Sequence, residues 1–212
     1  MDELALREEI IATAIAMNAR SLNRGKSGNV SARVDAGFLV TPTGVAYESM
    51  RPEDIVAMTQ DGTTRGSRRP SSEWRFHRDI YAGRSEVAAI VHAHSPFATT
   101  LACLGRDIPA FHYMIAVAGG SNIRCAPYAT FGTQELSDRA LRALEGRKAC
   151  LLANHGMIAV GTTLTDALAL AVEVEALAEQ YWRALQIGDP KLLPDTEMAI
   201  VLEKFRTYGQ PC

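Results

Sequence analysis

The run Ala88-Ala89-Ile90-Val91-His92-Ala93-His94, followed after Ser95 by Pro96-Phe97-Ala98-Thr99-Thr100-Leu101-Ala102-Cys103-Leu104, decides how this chain is read. Its first half is a short apolar run of strand length, and its second half has helical length and pattern. A strand that passes at once into a helix is a unit of α/β architecture. Successive strand side chains alternate faces, so His92 and His94 point the same way, with Cα atoms roughly 6 to 7 Å apart. That suits two imidazoles converging on one ion. An isolated His-x-His also fits a pair of surface or hydrogen-bonded histidines.

The same interleaving continues on both sides. Leu6, Ile10, Ala14 and Met17, with Ile11 and Ile15 beside them, recur at helical spacing and predict an amphipathic helix over the first twenty or so residues, ending near Gly25. Residues 30–34, 38–41, 55–59 and 149–153 read as further strands, and residues 73–81, 133–144, 166–185 and 197–208 as further helices. High strand hydrophobicity and tight turns predict one central sheet, mixed or antiparallel, with helices on both faces. No composition break, repeat or low-complexity tract divides the 212 residues, so one domain over residues 1–212 is expected.

At 47% hydrophobic and 22% charged, the chain is able to bury a sizeable core and is unlike a disordered or fibrous sequence. A net charge of -2 supplies no broad basic footprint, which argues against nucleic acid as the main partner. Arg65, Arg68 and Arg69 lie among Gly62, Gly66, Ser67 and Pro70 and read as a solvated loop. Cys103, Cys125, Cys150 and Cys212 form no C-x-x-C pair and read as reduced and mostly buried. The start Met-Asp-Glu is not that of a secretion signal, and no segment approaches the length of a membrane span, so a cytoplasmic protein is expected.

Two residues strengthen the metal reading of His92 and His94. His155 follows the apolar run 149–153 and sits between Asn154 and Gly156, where a glycine permits close backbone approach. Glu73 opens a helix directly after Pro70-Ser71-Ser72. Three histidines and a carboxylate at strand ends and a helix start make a candidate zinc site, with the carboxylate labile enough to leave the metal and act as a base. His77, four residues after Glu73, shares its helix face and reads either as an alternative ligand or as a packing or supporting contact to Glu73. His112, beside Tyr113 in an apolar stretch, reads as structural.

Three small-residue segments suit an oxyanion: Ser27-Gly28-Asn29, Thr43-Gly44 and Ser71-Ser72. Glycines admit a ligand close to the backbone, hydroxyls and the Asn amide donate, and a helix N-terminus offers free amides. Singly, the first two also fit simple turns, and Ser71 or Ser72 a helix cap. Their adjacency to Glu73 sets phosphate and metal side by side, a gap that a short phosphorylated sugar fits.

Taken together, Ser27-Gly28-Asn29-Val30-Ser31, Thr41-Pro42-Thr43-Gly44, Ser71-Ser72-Glu73, His92-Ala93-His94 and Asn154-His155-Gly156 resemble the class II aldolase and adducin superfamily. The similarity runs over about residues 4–209 and is greatest to its branch acting on L-fuculose 1-phosphate, through Ser71-Ser72-Glu73-Trp74-Arg75-Phe76-His77, His112-Tyr113-Met114-Ile115-Ala116 and Cys125-Ala126-Pro127-Tyr128-Ala129-Thr130-Phe131-Gly132-Thr133. The resemblance implies a three-layer α/β/α fold around a central mixed, largely antiparallel sheet. It implies zinc on Glu73, His92, His94 and His155, and a phosphate pocket from Gly28, Asn29, Thr43, Gly44, Ser71 and Ser72. It also implies a homotetramer with active sites at subunit interfaces. There Tyr113 from a neighbouring subunit acts as an acid at the aldehyde oxygen, and Tyr208 covers the site. Without the resemblance, Tyr113 reads as a core aromatic.

The activity so implied is reversible cleavage of L-fuculose 1-phosphate, or a similar ketose 1-phosphate, to dihydroxyacetone phosphate and an aldehyde such as L-lactaldehyde. Aldolases of 5-deoxyribulose or methylthioribulose 1-phosphate, ribulose-phosphate 4-epimerases and non-catalytic adducin-like scaffolds share the design. The epimerases typically have Asp where this chain has Glu73, and the scaffolds lose ligands that this chain keeps. Two positions depart from the family pattern. Lys26 and Ser27 stand where Thr-Ala or Thr-Ser is common, so that Lys26 reads as a phosphate partner or as solvated, and Asn154 stands where a second histidine sometimes does.

Overall fold

The computed structural model describes residues 2–206. Eight strands make one sheet: β1 (Asn29–Val34), β2 (Gly37–Val40), β3 (Val56–Met58), β4 (Thr64–Arg65), β5 (Ala89–Ala93), β6 (Cys125–Ala126), β7 (Ala149–Leu152) and β8 (Gly156–Gly161). Their order across the sheet is β4-β3-β2-β1-β5-β8-β7-β6. Every neighbouring pair is antiparallel except β6 with β7, so the sheet is mixed and largely antiparallel, as expected.

Six helices cover it: α1 (Glu3–Ala19), α2 (Trp74–Gly83), α3 (Pro96–Cys103), α4 (Gln134–Leu144), α5 (Leu164–Ile187) and α6 (Asp195–Phe205). Strand alternation sorts them into layers. Ala89, Val91 and Ala93 of β5 pack into one core with Ile10 of α1, Leu101 of α3 and Leu177 of α5. Ile90 turns to the opposite core with Phe76 and Ile80 of α2 and Leu136 of α4. Each Val, Leu, Ile or Phe side chain buried this way contributes about 1.5–3 kcal/mol. A sheet apolar on both faces therefore takes helices on both, giving the three-layer α/β/α arrangement. His92 alternates with Val91 and so shares the α2 side with Ile90.

Several boundaries differ from expectation. The first helix stops at Ala19 rather than near Gly25, because Ser21 adopts a left-handed φ of 59° and turns the buried Leu22 back onto the core. Sequence reading places no strand at β4, β6 or β8. The first two are two residues long, too short to show a period, and Arg65 stands in β4 instead of a loop. β8 is small-residue rich and follows β7 through a turn so tight that Leu152 pairs with Gly156, which hides the boundary. Of the cysteines among the described residues, Cys150 is buried, Cys125 half-buried and Cys103 exposed, so they are not mostly buried; all are unpaired, and Cys212 lies outside the described residues. No helix among those residues is long and apolar enough to cross a membrane.

Candidate metal centre

The ends of β1, β5 and β8 and the start of α2 meet at one point. Antiparallel pairing sets Asn29 of β1 opposite His92 of β5, and His92 opposite Ile158 of β8. His155 sits in the β7–β8 turn. Asn154 before it holds a φ of 56°, a left-handed conformation that asparagine tolerates better than most residues. Gly156 after it lies so close to β5 that a Cβ there would stand 2.4 Å from the Ala93 carbonyl oxygen. Glu73 occupies the cap position before α2, so its side chain leaves the helix end and enters the cluster.

One ligand atom from each of Glu73, His92, His94 and His155 lies within 4.8 Å of every other. Glu73 Oε2 is 3.1 Å from His92 Nε2, and Glu73 Oε1 is 3.0 Å from His155 Nε2. His92 Nε2 and His94 Nε2 are 3.0 Å apart. When His92 donates from Nδ1 to the Met157 carbonyl at 2.9 Å, its Nε2 keeps a bare lone pair aimed into the cluster. Glu73 Oε1 is buried and makes no hydrogen bond. Lone pairs converging in a buried space repel unless a cation or shared protons lie among them, and three imidazole nitrogens with one carboxylate are a donor set suited to zinc or another divalent metal. The residues present fit such an ion.

The electrostatics agree. Burial tends to raise the Glu73 carboxyl, but the His92 and His155 imidazoles outweigh it and hold the group below the usual carboxylate range. Burial opposes charge on His92, yet Glu73 prevails and raises it, so the cluster attracts positive charge. Burial, then the neighbouring His92 and His155, push His94 down to about 3 and keep it neutral, the form in which an imidazole can bind a metal.

A cavity of about 320 Å³ opens beside the cluster, lined by Gly28, Asn29, Thr43, Gly44, Ser71 and Ser72 together with Glu73, His94 and His155. All three small-residue segments thus reach one space. Backbone pairing brings them there: Thr41 and Val30 exchange bonds, Ser71 N donates to the Thr41 carbonyl at 3.0 Å, and Thr43 N donates to that of Arg69 at 3.1 Å. Gly28 has a φ of 80°, and a Cβ there would meet Asn23 at 2.4 Å and the His92 carbonyl at 2.5 Å. Lys26 Nζ donates to the Gly44 carbonyl at 3.0 Å on the cavity's rim. Ser71 Oγ accepts from Asn29 Nδ2 at 2.9 Å and from the Glu73 amide at 3.3 Å.

Other candidates fall elsewhere. His77 is fully buried and is no ligand; its Nε2 lies 2.5 Å from Asn29 Oδ1, and Asn29 Nδ2 donates to Glu73 Oε2 at 3.0 Å. His112 Nδ1 accepts from the Met114 amide, a structural role as expected. Tyr113 is not a core aromatic: half exposed, it lines a separate groove with Phe205 and Ile200, away from its own chain's cluster. Tyr208 lies outside the described residues. Residue-by-residue reading missed Tyr128 and Phe131, whose exposed rings line the metal-side cavity. Their only signal was their place within the matching stretch 125–133.

The model of the family described as Class II Aldolase and Adducin N-terminal domain matches residues 8–182. A 5-methylthioribulose-1-phosphate/5-deoxyribulose-1-phosphate aldolase of Rhodospirillum rubrum is 60% identical over 206 residues, 97% of this chain and 93% of that protein. An L-fuculose phosphate aldolase of Escherichia coli K12 is 50% identical over 210 residues, 99% of this chain and 98% of that one. A solved structure of an L-fuculose 1-phosphate aldolase superposes with a TM-score of 0.92 at 42% identity, covering 94% of this chain and 95% of its own.

Proposed function

The chain belongs to the class II aldolase and adducin family, as an aldolase, and from that premise we propose that it cleaves a ketose 1-phosphate with a methyl-ended tail into dihydroxyacetone phosphate and an aldehyde. The observation that carries this reading is the four-ligand cluster opening on a cavity lined by all the small-residue segments. Zinc is the metal proposed, held by Glu73, His92, His94 and His155. When bound, it supplies Lewis-acid stabilisation of the negative charge left on the three-carbon fragment as the carbon–carbon bond breaks.

The protein's own groups do the rest. Gly28, Asn29, Thr43, Gly44, Ser71 and Ser72 hold the phosphate by backbone amides and hydroxyls. Among the histidines Glu73 is a weak base, because they hold its pKa down. Leaving them restores its basicity, so that in condensation it takes the proton from the carbon next to the carbonyl of dihydroxyacetone phosphate, and in cleavage it returns one there. Tyr113 of a second copy, in a cytoplasmic homotetramer, gives its proton to the aldehyde oxygen in condensation.

The aldehyde end meets Phe131 and Tyr128, apolar rings that a methyl or methylthio tail covers well. Together with the 60% identity to a methylthioribulose- and deoxyribulose-phosphate enzyme, this favours 5-deoxyribulose 1-phosphate or its methylthio analogue as substrate. L-Fuculose 1-phosphate, which gives L-lactaldehyde, is the second reading, supported by the 50% relative. Zinc-loaded protein given each ketose 1-phosphate should release dihydroxyacetone phosphate, fastest from the 5-deoxypentuloses. Release from none would refute the activity, and a faster rate with L-fuculose 1-phosphate would reverse the order.

A further inference from the structure

Beside the metal centre, β1 and α2 face each other through polar side chains, next to the apolar core that Phe76 and Ile80 share with Phe38. Glu73, His77 and Tyr81 recur every four residues along α2 and its cap, and Asn29 and Ser31 alternate on β1. Four helical residues rise about 6 Å and two strand residues about 6.6 Å. The two sets therefore interleave as Glu73, Asn29, His77, Ser31, Tyr81, and all five are buried. Their contacts follow that order: Asn29 to Glu73 at 3.0 Å, His77 to Asn29 at 2.5 Å, Ser31 to His77 at 2.6 Å and Tyr81 to Ser31 at 2.7 Å.

Only one placement of hydrogens satisfies every member. The Glu73 carboxylate accepts, so Asn29 turns its amide nitrogen towards it and gives its second hydrogen to Ser71 Oγ at 2.9 Å. Asn29 Oδ1 must then accept, and the hydrogen comes from His77 Nε2. Burial pushes His77 down to about 3, so the ring is neutral and Nδ1 accepts from Ser31, which accepts from Tyr81. Every donor points towards Glu73, and bonds aligned in one direction polarise one another. The other neutral tautomer sets a bare nitrogen against the Asn29 carbonyl or turns that carbonyl onto the Glu73 carboxylate.

We propose that His77 is a positioning residue: by donating from Nε2 to Asn29 Oδ1 it commits both Asn29 amide hydrogens, one to Ser71 in the anion cavity and one to Glu73 in the metal cluster. The phosphate and zinc parts of this rest on the function proposed above. One oriented amide then joins the two sites, and whatever loosens it weakens both.

Long-range proton–nitrogen NMR of the protein as purified should show His77 neutral with its hydrogen on Nε2; a hydrogen on Nδ1 would overturn the proposal. His77→Phe keeps a ring of similar size and removes the donor, whereas His77→Gln keeps a donor nitrogen at nearly the same reach. Zinc affinity by chelator competition and inorganic-phosphate affinity by calorimetry should each fall about tenfold in His77→Phe, as for loss of a buried hydrogen bond to a charge network. His77→Gln should restore most of both. Equal loss in the two variants, or loss in neither, marks a role in packing alone and overturns the proposal. If His77→Phe fails to fold, Ser31→Ala removes only the hydroxyl behind Nδ1, and the hydrogen should stay on Nε2 because Asn29 Oδ1 selects the tautomer; its appearance on Nδ1 overturns the proposal. Wild-type protein that binds no inorganic phosphate would refute the cavity's proposed role, while the tautomer and zinc measurements still decide the role of His77.

Discussion

Glu73 and Tyr113, both proposed above for proton transfer, sit in opposite surroundings. Glu73 is 6% exposed, tied to Asn29 and flanked by histidines, whereas Tyr113 is 51% exposed at the start of a 3-10 turn (Tyr113–Ala118), beside a groove it shares with Phe205 and Val201. A buried charge must find its partners within its own fold, because desolvation without them costs several kcal/mol. An exposed aromatic ring bears no such cost and gains by being covered. The four metal-binding candidates thus come together within one chain, while Tyr113 stands exposed and apart from them.

The sharpest test of that contrast is at the metal. His155→Ala should strip most of the zinc and lower kcat/KM by about ten-thousandfold, since it removes a ligand from a closed set. Elemental analysis that found metal-free protein still active would break the self-contained half of the comparison. Glu73→Gln should separate metal from base: the three histidines keep appreciable zinc, while proton exchange on dihydroxyacetone phosphate slows by about a thousandfold. Unchanged exchange would remove Glu73 from proton transfer.

Tyr113→Phe addresses the other half. It should leave zinc and phosphate binding intact and lower kcat by about a hundredfold. Co-expressed with Glu73→Gln, it should recover partial activity in mixed oligomers, because some interfaces pair an intact tyrosine with an intact cluster. No recovery, despite mixing proved by native mass spectrometry, would put Tyr113 outside a neighbour's site. A smaller effect, about a tenfold rise in KM, is expected of Ser71→Asp through like-charge repulsion in the cavity. Substrate kinetics showing no change would take Ser71 out of phosphate binding.

The last test is of stability rather than activity. In metal-free protein His77 and His94 are neutral with values near 3, against 6.5 for an ordinary histidine. The unfolded chain therefore binds more protons below pH 6.5, and stability falls with pH from there towards 3, by up to about 1.4 kcal/mol per pH unit for each such group. Glu73, whose folded value is depressed, loses its contribution in the same direction as pH falls through it. Thermal melts should show the decline starting near pH 6.5, shallower in His77→Gln. A flat profile from pH 6.5 to 4 would mean that these rings are not buried as neutral groups.

Much of this was legible beforehand, and what was missed has a common cause. The helix carrying His77, the strand carrying His92 and the α/β/α layering follow from local periods of hydrophobicity. β6 and β4 are too short to express a period, and β8 is hidden by the turn that positions His155. The groove location of Tyr113 was equally unreadable, because an apolar stretch looks the same whether it faces its own core or another chain.

The sequence by itself determined that His92 and His94 share a strand face and that Glu73 and His77 share a helix face, since both periods are set by backbone geometry along one segment. Only the tertiary structure decided which of those residues meet. Glu73 and His155 come within reach of the strand histidines because β8 pairs with β5 and β1 packs on α2, and Asn29 and Ser31 slot between the α2 residues because strand and helix rises nearly match. Distances between segments depend on pairing and packing, which no local spacing encodes, and those distances give the five histidines three separable places: three in the candidate metal cluster, one in a buried hydrogen-bonded chain and one at a helix cap.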